Sequence, residues 1–455
     1  MSEEIGTTDA LCPECLKTIH AKKIVENDDV YIVKTCPEHG TWKVKIWTGA
    51  EHYKYLYEFA AVPKTPTKRA VGDITDCPHD CGLCNRHMQH SCVNVVEVTN
   101  HCNLNCPVCF ATANGCGYDF HPDMGTIRGM FQTVVDYVAS PRCVQISGGE
   151  PTIRDDLPEI VKMAKDMGIE HIEVNTNGVR IGNDIEYLRK LQEAGVDDFY
   201  FQFDGTDDAI YMKTRGRPMF ELKQQAIKNV AEVGGIGITL VVTVVPGVNL
   251  DHVGEIIRFA ARNTPTVKGV HFQPIFHVGR YPVDPTDDNR VNLPQLAHEI
   301  EIQTKGMLKA DNFMPTSCSN VHCDMKSLSV VLPDYSLFPL TTMALGPPTK
   351  TDNIADKTRK EVSEFWRFIE VSMDGEDETR DKDDHTWNTF IKRAKTHYLT
   401  VSAMAFQDVW TGETDRWERC CIHVVTLDRK LIPFCLFNTT ARDGTTLYRK
   451  KTFCQ

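Results

Sequence analysis

A chain of 455 residues, 41% of them hydrophobic, is long enough for one large domain with appendages or for two to three domains, and it can bury a substantial core. A formal net charge of -12 and a pI near 5.8 speak against a general nucleic-acid binder and leave no broad basic surface for anionic lipid heads. Met1 to Ala10 is polar and acidic, without the apolar run and small-residue cleavage site of a secretory signal, so a cytoplasmic protein is expected.

The most apolar stretch, Ile236 to Val248, carries Gly, Thr and Pro and is shorter than a spanning helix; a buried strand accounts for it. Eighteen cysteines in such a chain are not expected as disulfides, because the cytosol keeps thiols reduced. Most fall into tight groups that should bind metal. Cys116, Cys143 and Cys454 stand alone, as small apolar fillers would.

In chain order, Cys12 and Cys15 form a CPEC turn, Val30 to Thr35 reads as a strand, and Cys36 opens CPEH with His39. Two knuckles about twenty residues apart suit a tetrahedral zinc or a rubredoxin-like iron, a closed site with no catalytic step. Tyr53 to Ala61 looks helical and Pro63 to Lys68 reads as a linker. CPHDCGLC follows, with Cys77, Cys81 and Cys84. A β run, Val93 to Thr99, then delivers a second CxxxCxxC: Cys102, Cys106 and Cys109, with Phe110 after the last cysteine. Three thiolates at these spacings can hold three irons of a [4Fe-4S] cube and leave one iron open; a structural zinc with a distant fourth ligand is the alternative. Only the second triad is framed by a strand and an orderly βα series. The first, with Cys92 or a distant cysteine as fourth ligand, reads as an auxiliary cluster.

From Val93 the pattern repeats. Helices Gly125 to Ala139, Leu157 to Met167, Ile185 to Ala194, Phe220 to Val233 and Asp251 to Asn263 lead to strands Cys143 to Ile146, His171 to Asn175, Asp198 to Phe203, Ile238 to Val245 and Gly269 to Pro274. Six strands alternating with helices predict an α/β fold with parallel pairing and right-handed crossovers: a partial (β/α)6 barrel, or a doubly wound open sheet. Ligands gather at the carboxyl ends of such strands. Those ends read SGGEP (Ser147 to Pro151), NTNG (Asn175 to Gly178), QFDG (Gln202 to Gly205), VPGVN (Val245 to Asn249) and QPIFHVGR (Gln273 to Arg280), in register with the triad. In SGGEP two glycines allow close backbone approach and Glu150 offers a carboxylate to an ammonium.

Beyond Arg280 come a loop (Pro282 to Asn289), a helix (Leu293 to Leu308), Cys318 and Cys323, a solvated charge run (Asp374 to Asp384), the pair Cys420-Cys421 before a strand (Ile422 to Leu427), and a second strand ending at Cys435. These cysteines are expected to close a third cluster. The implied division is 1–62, a metal-binding domain; 63–92, an auxiliary cluster segment; 93–290, the βα unit; and 291–455, an auxiliary cluster and substrate-binding region.

CxxxCxxC followed by SGGEP resembles the radical S-adenosylmethionine (SAM) superfamily. The resemblance implies that Cys102, Cys106 and Cys109 bind the catalytic [4Fe-4S] cluster and that Gly148, Gly149 and Glu150 contact SAM. It places Phe110 near the adenine and makes Asn177, Gln202, Asp204 and Gln273 candidates for ribose and carboxylate contacts. Over nearly the whole chain, LCPEC, TCPEHG, CPHDCGLC, VTNHCNLNCPVCFA, QISGGEPT, NTNG and IPFCLFN resemble the archaeal tetraether lipid synthase-like family, some members of which are described as pterin methyltransferases.

That family implies a rubredoxin-like site, a radical SAM barrel and two auxiliary [4Fe-4S] clusters, hence SAM, three clusters, one mononuclear Fe or Zn, and an electron donor such as ferredoxin or flavodoxin. The expected activity is carbon–carbon coupling of isoprenoid ether lipid chains, with peripheral contact to a membrane and an apolar tunnel lined from Phe313 to Met314, Leu328 to Leu345 and Tyr398 to Phe406. The alternative is methylation of a pterin-like small molecule. An iron–sulfur electron carrier is the non-enzymatic reading, but a carrier gains nothing from an open-iron triad beside GGEP. The adjacent Cys420-Cys421 pair leaves the auxiliary fourth ligands open; one arrangement gives one cysteine of the pair to each auxiliary cluster.

Overall fold

The computed structural model describes residues 2–115, 120–281, 284–316, 318–348 and 387–449; Cys116, Cys454 and the charge run Asp374 to Asp384 lie outside them. The chain begins with an antiparallel meander of β1 (Glu3–Leu11), β2 (Thr18–Glu26), β3 (Asp29–Cys36) and β4 (Gly40–Thr48). Asn27 and Asp28, both at positive φ, make the tight β2–β3 turn whose twist matches that of the paired strands. The β1–β2 and β3–β4 turns share the opposite end of the meander, and they carry CPEC and CPEH. Strand order alone therefore brings the two knuckles together.

The meander docks on the rest of the chain through buried lysines. Lys34 Nζ donates to the Val409 carbonyl at 2.5 Å, and Lys23 Nζ pairs with Glu413 at 2.5 Å. Helix α1 (Ala50–Leu56) follows; it starts earlier than expected because Asp28 Oδ1 accepts from the Ala50 amide.

All six strands expected of the βα unit form: β5 (Val93–Glu97), β6 (Cys143–Ser147), β7 (His171–Thr176), β8 (Asp198–Gln202), β9 (Gly237–Val244) and β10 (Val267–Pro274), paired in parallel in sequence order. Between them run α2 (Met124–Tyr137), α3 (Leu157–Asp166), α4 (Val179–Asn183), α5 (Ile185–Ala194), α6 (Asp208–Arg215), α7 (Phe220–Val233) and α8 (Val253–Arg262). Helix α9 (Leu293–Gln303) stops short of the expected Leu308 because Lys305 and Gly306 turn left-handed and the Gly306 amide closes on the Glu301 carbonyl.

The sheet continues across residue 290. After β11 (Asp324–Val331), β12 (Leu337–Pro339) and α10 (Trp387–Thr396), strand β13 (Tyr398–Met404) pairs in parallel with β10, and beyond α11 (Thr414–Glu418), β14 (Ile422–Val425) pairs in parallel with β5. The parallel run is thus eight strands, edged by antiparallel β11 and β12 at one side and β15 (Leu431–Pro433) at the other. Cys435 lies not at a strand end but in α12 (Phe434–Asn438), which begins directly after Pro433.

Side chains alternate across this sheet. Ile172, Val174, Phe199, Phe201, Leu240, Val242, Val270 and Phe272 pack under the helices, whereas Glu173, Asn175, Tyr200, Gln202, Thr239, His271 and Gln273 line a cavity on the opposite face. Ile422 and Ser402, on strands at opposite ends of the parallel run, line that same cavity. The sheet therefore curls around it. Among the described residues no helix is long and apolar enough to cross a membrane.

The C-terminal stretch ties β5 in place. Arg449 grips the buried Glu97 carboxylate bidentately at 2.7 and 3.0 Å, and Asn438 Oδ1 accepts from the same guanidinium. Arg449→Ala strands a buried carboxylate, so it should cost about 3–5 kcal/mol of stability. Urea unfolding of the variant beside the parent protein measures the loss.

Candidate active site

The triad loop hangs from β5 and is clamped on two sides by backbone. On one side the Gly149 amide donates to the Thr99 carbonyl at 2.8 Å and the Glu150 amide to the His101 carbonyl at 2.7 Å. A Cβ on Gly149 would stand 2.0 Å from the His101 oxygen, so only glycine permits this approach. On the other side Cys109 and Arg280 exchange both amide–carbonyl bonds, at 2.9 and 3.0 Å, and Arg280 Nε donates to the Cys106 carbonyl. Gly279, at positive φ, lies where a Cβ would meet the Phe110 oxygen at 2.5 Å. Asn114 stitches the loop internally, accepting from the Cys102 amide and donating to the Cys102 and Leu104 carbonyls.

Glu150 sits under this loop with 1% exposure. Its carboxylate accepts from the Thr152 amide and hydroxyl, the Thr176 hydroxyl and the Asn177 amide, at 2.5 to 3.1 Å. Four donors match the acceptor capacity of a carboxylate. Glu150 thus ties the SGGEP and NTNG turns together, although burial still raises its pKa. Asn177 Nδ2 donates to Asn103 Oδ1 at 2.7 Å and faces the Cys102 sulfur at 3.8 Å.

Ten of the residues expected to bind the cluster and SAM line the one cavity: Cys102, Cys106, Cys109, Phe110, Gly148, Gly149, Glu150, Asn177, Gln202 and Gln273. Asp204 is not among them. It is fully buried, and both its oxygens are taken by Arg215 at 2.6 and 2.9 Å. The group it presents to the cavity is therefore the Arg215 guanidinium, which also reaches the Cys106 sulfur. Lys223, buried on α7, donates to the Asn177 and Gln202 carbonyls and to Gln202 Oε1 at 2.6 to 2.7 Å, and burial beside Arg215 pulls its pKa down to about 7. Arg215 and Lys223 carry no motif; both lie on helices, where a basic residue reads as solvated surface.

The cavity holds about 300 Å³, at the small end of pockets that take small molecules. Its mouth is aromatic, with Phe406 between Phe276 and Phe434 at ring distances of 5.2 and 4.9 Å and Phe110 5.6 Å from Phe434. Its floor is polar: Gln145 Nε2 donates to Glu173 at 2.6 Å, Gln273 Nε2 to the Tyr200 hydroxyl at 2.8 Å, and His271 Nδ1 shares a hydrogen with Ser402 at 2.9 Å. Of the expected apolar tunnel, Leu328, Met404 and Phe406 do line the cavity. Phe313 is buried in the core under the helices instead, and Leu345 is 83% exposed.

The remaining cysteines divide into three further places. Cys12, Cys15, Cys36 and His39 bring their ligand atoms within 4.8 Å of one another, the spacing of a single tetrahedral ion. Cys92, Cys318 and Cys421 do the same, buried at the cavity wall. There the Cys421 and Cys92 thiols donate to Cys318, which holds the Cys318 thiol well down and pushes the Cys421 thiol well up. Cys323, Cys420 and Cys435 form the third neighbourhood, where Arg416 Nε donates to the Cys323 sulfur at 3.1 Å. The C-terminal cysteines expected to close one cluster are therefore split, because Cys420 and Cys421 point to different groups. Cys77, Cys81 and Cys84 lie beside the Cys420 group. The tail folds over them: the Leu83 amide donates to Leu431, the Met88 amide to Glu418 and the Cys81 amide to the Tyr448 hydroxyl. Cys92, whose grouping the spacing left open, takes its place because the Cys92 amide hydrogen-bonds the Cys421 carbonyl at 2.7 Å. Cys143 is buried and belongs to no group.

Comparison with known proteins agrees with this layout. The Radical SAM superfamily profile matches residues 96–260, and the profile of the HMPTM N-terminal zinc ribbon domain matches residues 4–48. The chain is 35% identical to the 7,8-dihydro-6-hydroxymethylpterin dimethyltransferase of Methanocaldococcus jannaschii, over 95% of this chain and 93% of that protein. It is 28% identical to a probable GTP 3',8-cyclase of Sulfolobus acidocaldarius, over 40% of this chain and 56% of that one. Among solved structures, methylornithine synthase PylB aligns with a TM-score of 0.38 and 16% identity, over 48% of this chain and 64% of that chain. The name of the Methanocaldococcus jannaschii relative carries the pterin half of the expected family resemblance, and none of these names supports the lipid half.

Cys420→Ala and Cys421→Ala are expected to remove iron from different places. Adding Cys92→Ala to Cys421→Ala should remove no more iron than Cys421→Ala alone, whereas adding Cys420→Ala should remove more. Iron and sulfide counts on anaerobically reconstituted protein check this.

Proposed function

This chain belongs to the radical SAM superfamily and, matched end to end at 35% identity, to the family of the Methanocaldococcus jannaschii pterin dimethyltransferase; from that membership we propose that it methylates a reduced pterin or a closely similar nitrogen heterocycle. The observation that carries the reading is the polar floor of the cavity, where Gln145, Glu173, Tyr200, His271, Gln273 and Ser402 face the space beyond the triad. These groups pair with one another, and an isoprenoid chain offers nothing to their remaining donors and acceptors, the second Glu173 oxygen among them. A planar heterocycle satisfies them with its ring edge while its faces lie against the aromatic mouth.

In this reading the curled sheet is the expected partial barrel. Cys102, Cys106 and Cys109 would hold the catalytic [4Fe-4S] cluster, and the donor set suits it: three sulfurs, no fourth protein ligand in the loop, and an open side toward the cavity. When bound, the cluster and SAM supply radical chemistry at an unactivated substrate carbon, which no side chain can supply. The chain's own part is positioning. The Gly149 and Gly279 clamps fix the loop, and Arg215, held by Asp204, sets a guanidinium beside Cys106 where a carboxylate of SAM can be gripped. Asn177 and Gln202 present amides on the neighbouring strand ends, Gln202 steadied by Lys223.

The ribbon would hold one zinc or iron. The Cys92 group and the Cys323 group, the latter with the neighbouring Cys77 triad, would hold the auxiliary centres. An electron donor such as ferredoxin or flavodoxin completes the scheme.

The test is anaerobic turnover of reconstituted protein with SAM, a strong reductant and either 7,8-dihydro-6-hydroxymethylpterin or extracted archaeal-type ether lipid, read by mass spectrometry. The expected result is a pterin heavier by whole methyl groups, each drawn from a SAM that leaves as S-adenosylhomocysteine, with 5'-deoxyadenosine and methionine formed from the SAM that is reductively cleaved. An unchanged pterin beside lipid species that have lost hydrogen would overturn the reading in favour of carbon–carbon coupling.

A further inference from the structure

Two acids in the cavity wall are engaged by neither the triad loop nor the SAM-side residues, and of these Asp324 is held by Thr316 and Ser319. Glu173 stands mid-strand on β7, 1% exposed, with its carboxyl in the cavity wall. Gln145, its cross-strand neighbour on β6, donates to Oε1 at 2.6 Å. Among the described residues no other hydrogen bond reaches this carboxyl and no cation pairs with it. Lys268 faces Asp198 and the Tyr398 hydroxyl, the latter at 3.5 Å. A buried acid held by one amide donor and no cation is destabilising; burial pushes Glu173 up to about 7, and it stands in register with the buried Asp198, whose pKa its charge helps to raise. Such a group in a cavity wall is a candidate for ligand recognition rather than for holding the fold.

Around it the floor is set to read a flat polar edge. The Tyr200 hydroxyl is fixed by Gln273, and the His271 ring, 5.7 Å from the Tyr200 ring, is fixed by Ser402. Burial brings His271 down to about 4, so it is a neutral imidazole near pH 7, able to donate or accept. Two acceptor oxygens in a plane held by Gln145 match two parallel N–H donors, the arrangement of an amino group beside a ring N–H.

We propose that Glu173 determines substrate specificity: its carboxylate receives the exocyclic amino group and the adjacent ring N–H of a planar nitrogen heterocycle, with Tyr200 and His271 reading the rest of that edge. This rests on the methyltransferase reading above and specifies the substrate feature it selects. A site built around a buried acceptor rejects the analogue that lacks the donor far more strongly than an apolar pocket rejects a change of shape.

The experiment compares 7,8-dihydro-6-hydroxymethylpterin with the same ring carrying oxygen in place of the amino group, on reconstituted wild type and Glu173→Gln, with equal iron content as the control for assembly. Wild type should prefer the amino-bearing ring by on the order of 100-fold or more in kcat/KM. Glu173→Gln should raise KM for that ring and shrink the preference by roughly tenfold or more. A wild type indifferent to the replacement, or a variant that keeps the full preference, overturns this inference while the methyltransferase reading stands. A wild type that methylates neither ring overturns that reading instead.

Discussion

The position of three cysteine sulfurs depends on backbone meeting backbone. The loop after β5 is pinned between the SGGEP turn and the Gly279–Arg280 turn by four amide–carbonyl bonds, and each contact requires a glycine because a Cβ would fall inside the neighbouring carbonyl oxygen. Main chain moves less readily than side chains, so the triad keeps its place relative to β5, β6 and the turn beyond β10 whatever the cavity contains. The Glu150 carboxylate, with its four donors, transmits the same rigidity to the end of β7.

Much of this was legible in the sequence. The βα rhythm named all six central strands, and helices α5 and α7 matched residue for residue, because each had a clean apolar face between turn residues. The CxxxCxxC and SGGEP motifs led to residues that do share one cavity. What the sequence hid was long-range. Strands β13 and β14 pair with β10 and β5, elements more than a hundred residues earlier in the chain, and nothing local announces those partners. Arg215, Lys223 and Glu173 carry no local signature, and their roles exist only through Asp204, Gln202 and Gln145 on other elements. Spacing likewise could not assign Cys92 to Cys318 and Cys421, residues more than two hundred positions away.

The curled sheet also reverses the usual sense of a core. Apolar side chains from alternate strand positions fill the layer beneath the helices, while the enclosed face bears amides, hydroxyls, a neutral histidine and a carboxyl. The outer layer is continuously apolar, whereas the inner face mixes these polar groups with Val241, Ile275, Phe276, Leu328 and Phe406. The ion pair between Glu97 and Arg449 lies on the inner side of β5, where Glu97 alternates in step with the cavity residue Val93 and Arg449 lies 5.9 Å from the Phe110 ring.

Cys420 and Cys421 are neighbours in sequence, yet their sulfurs serve different groups of thiols. Successive Cα atoms are about 3.8 Å apart across a trans peptide. The covalent link therefore caps how far apart these two groups of thiols can lie, however the surrounding elements pack. Loosening of the surrounding structure can turn the two side chains but cannot part their backbone.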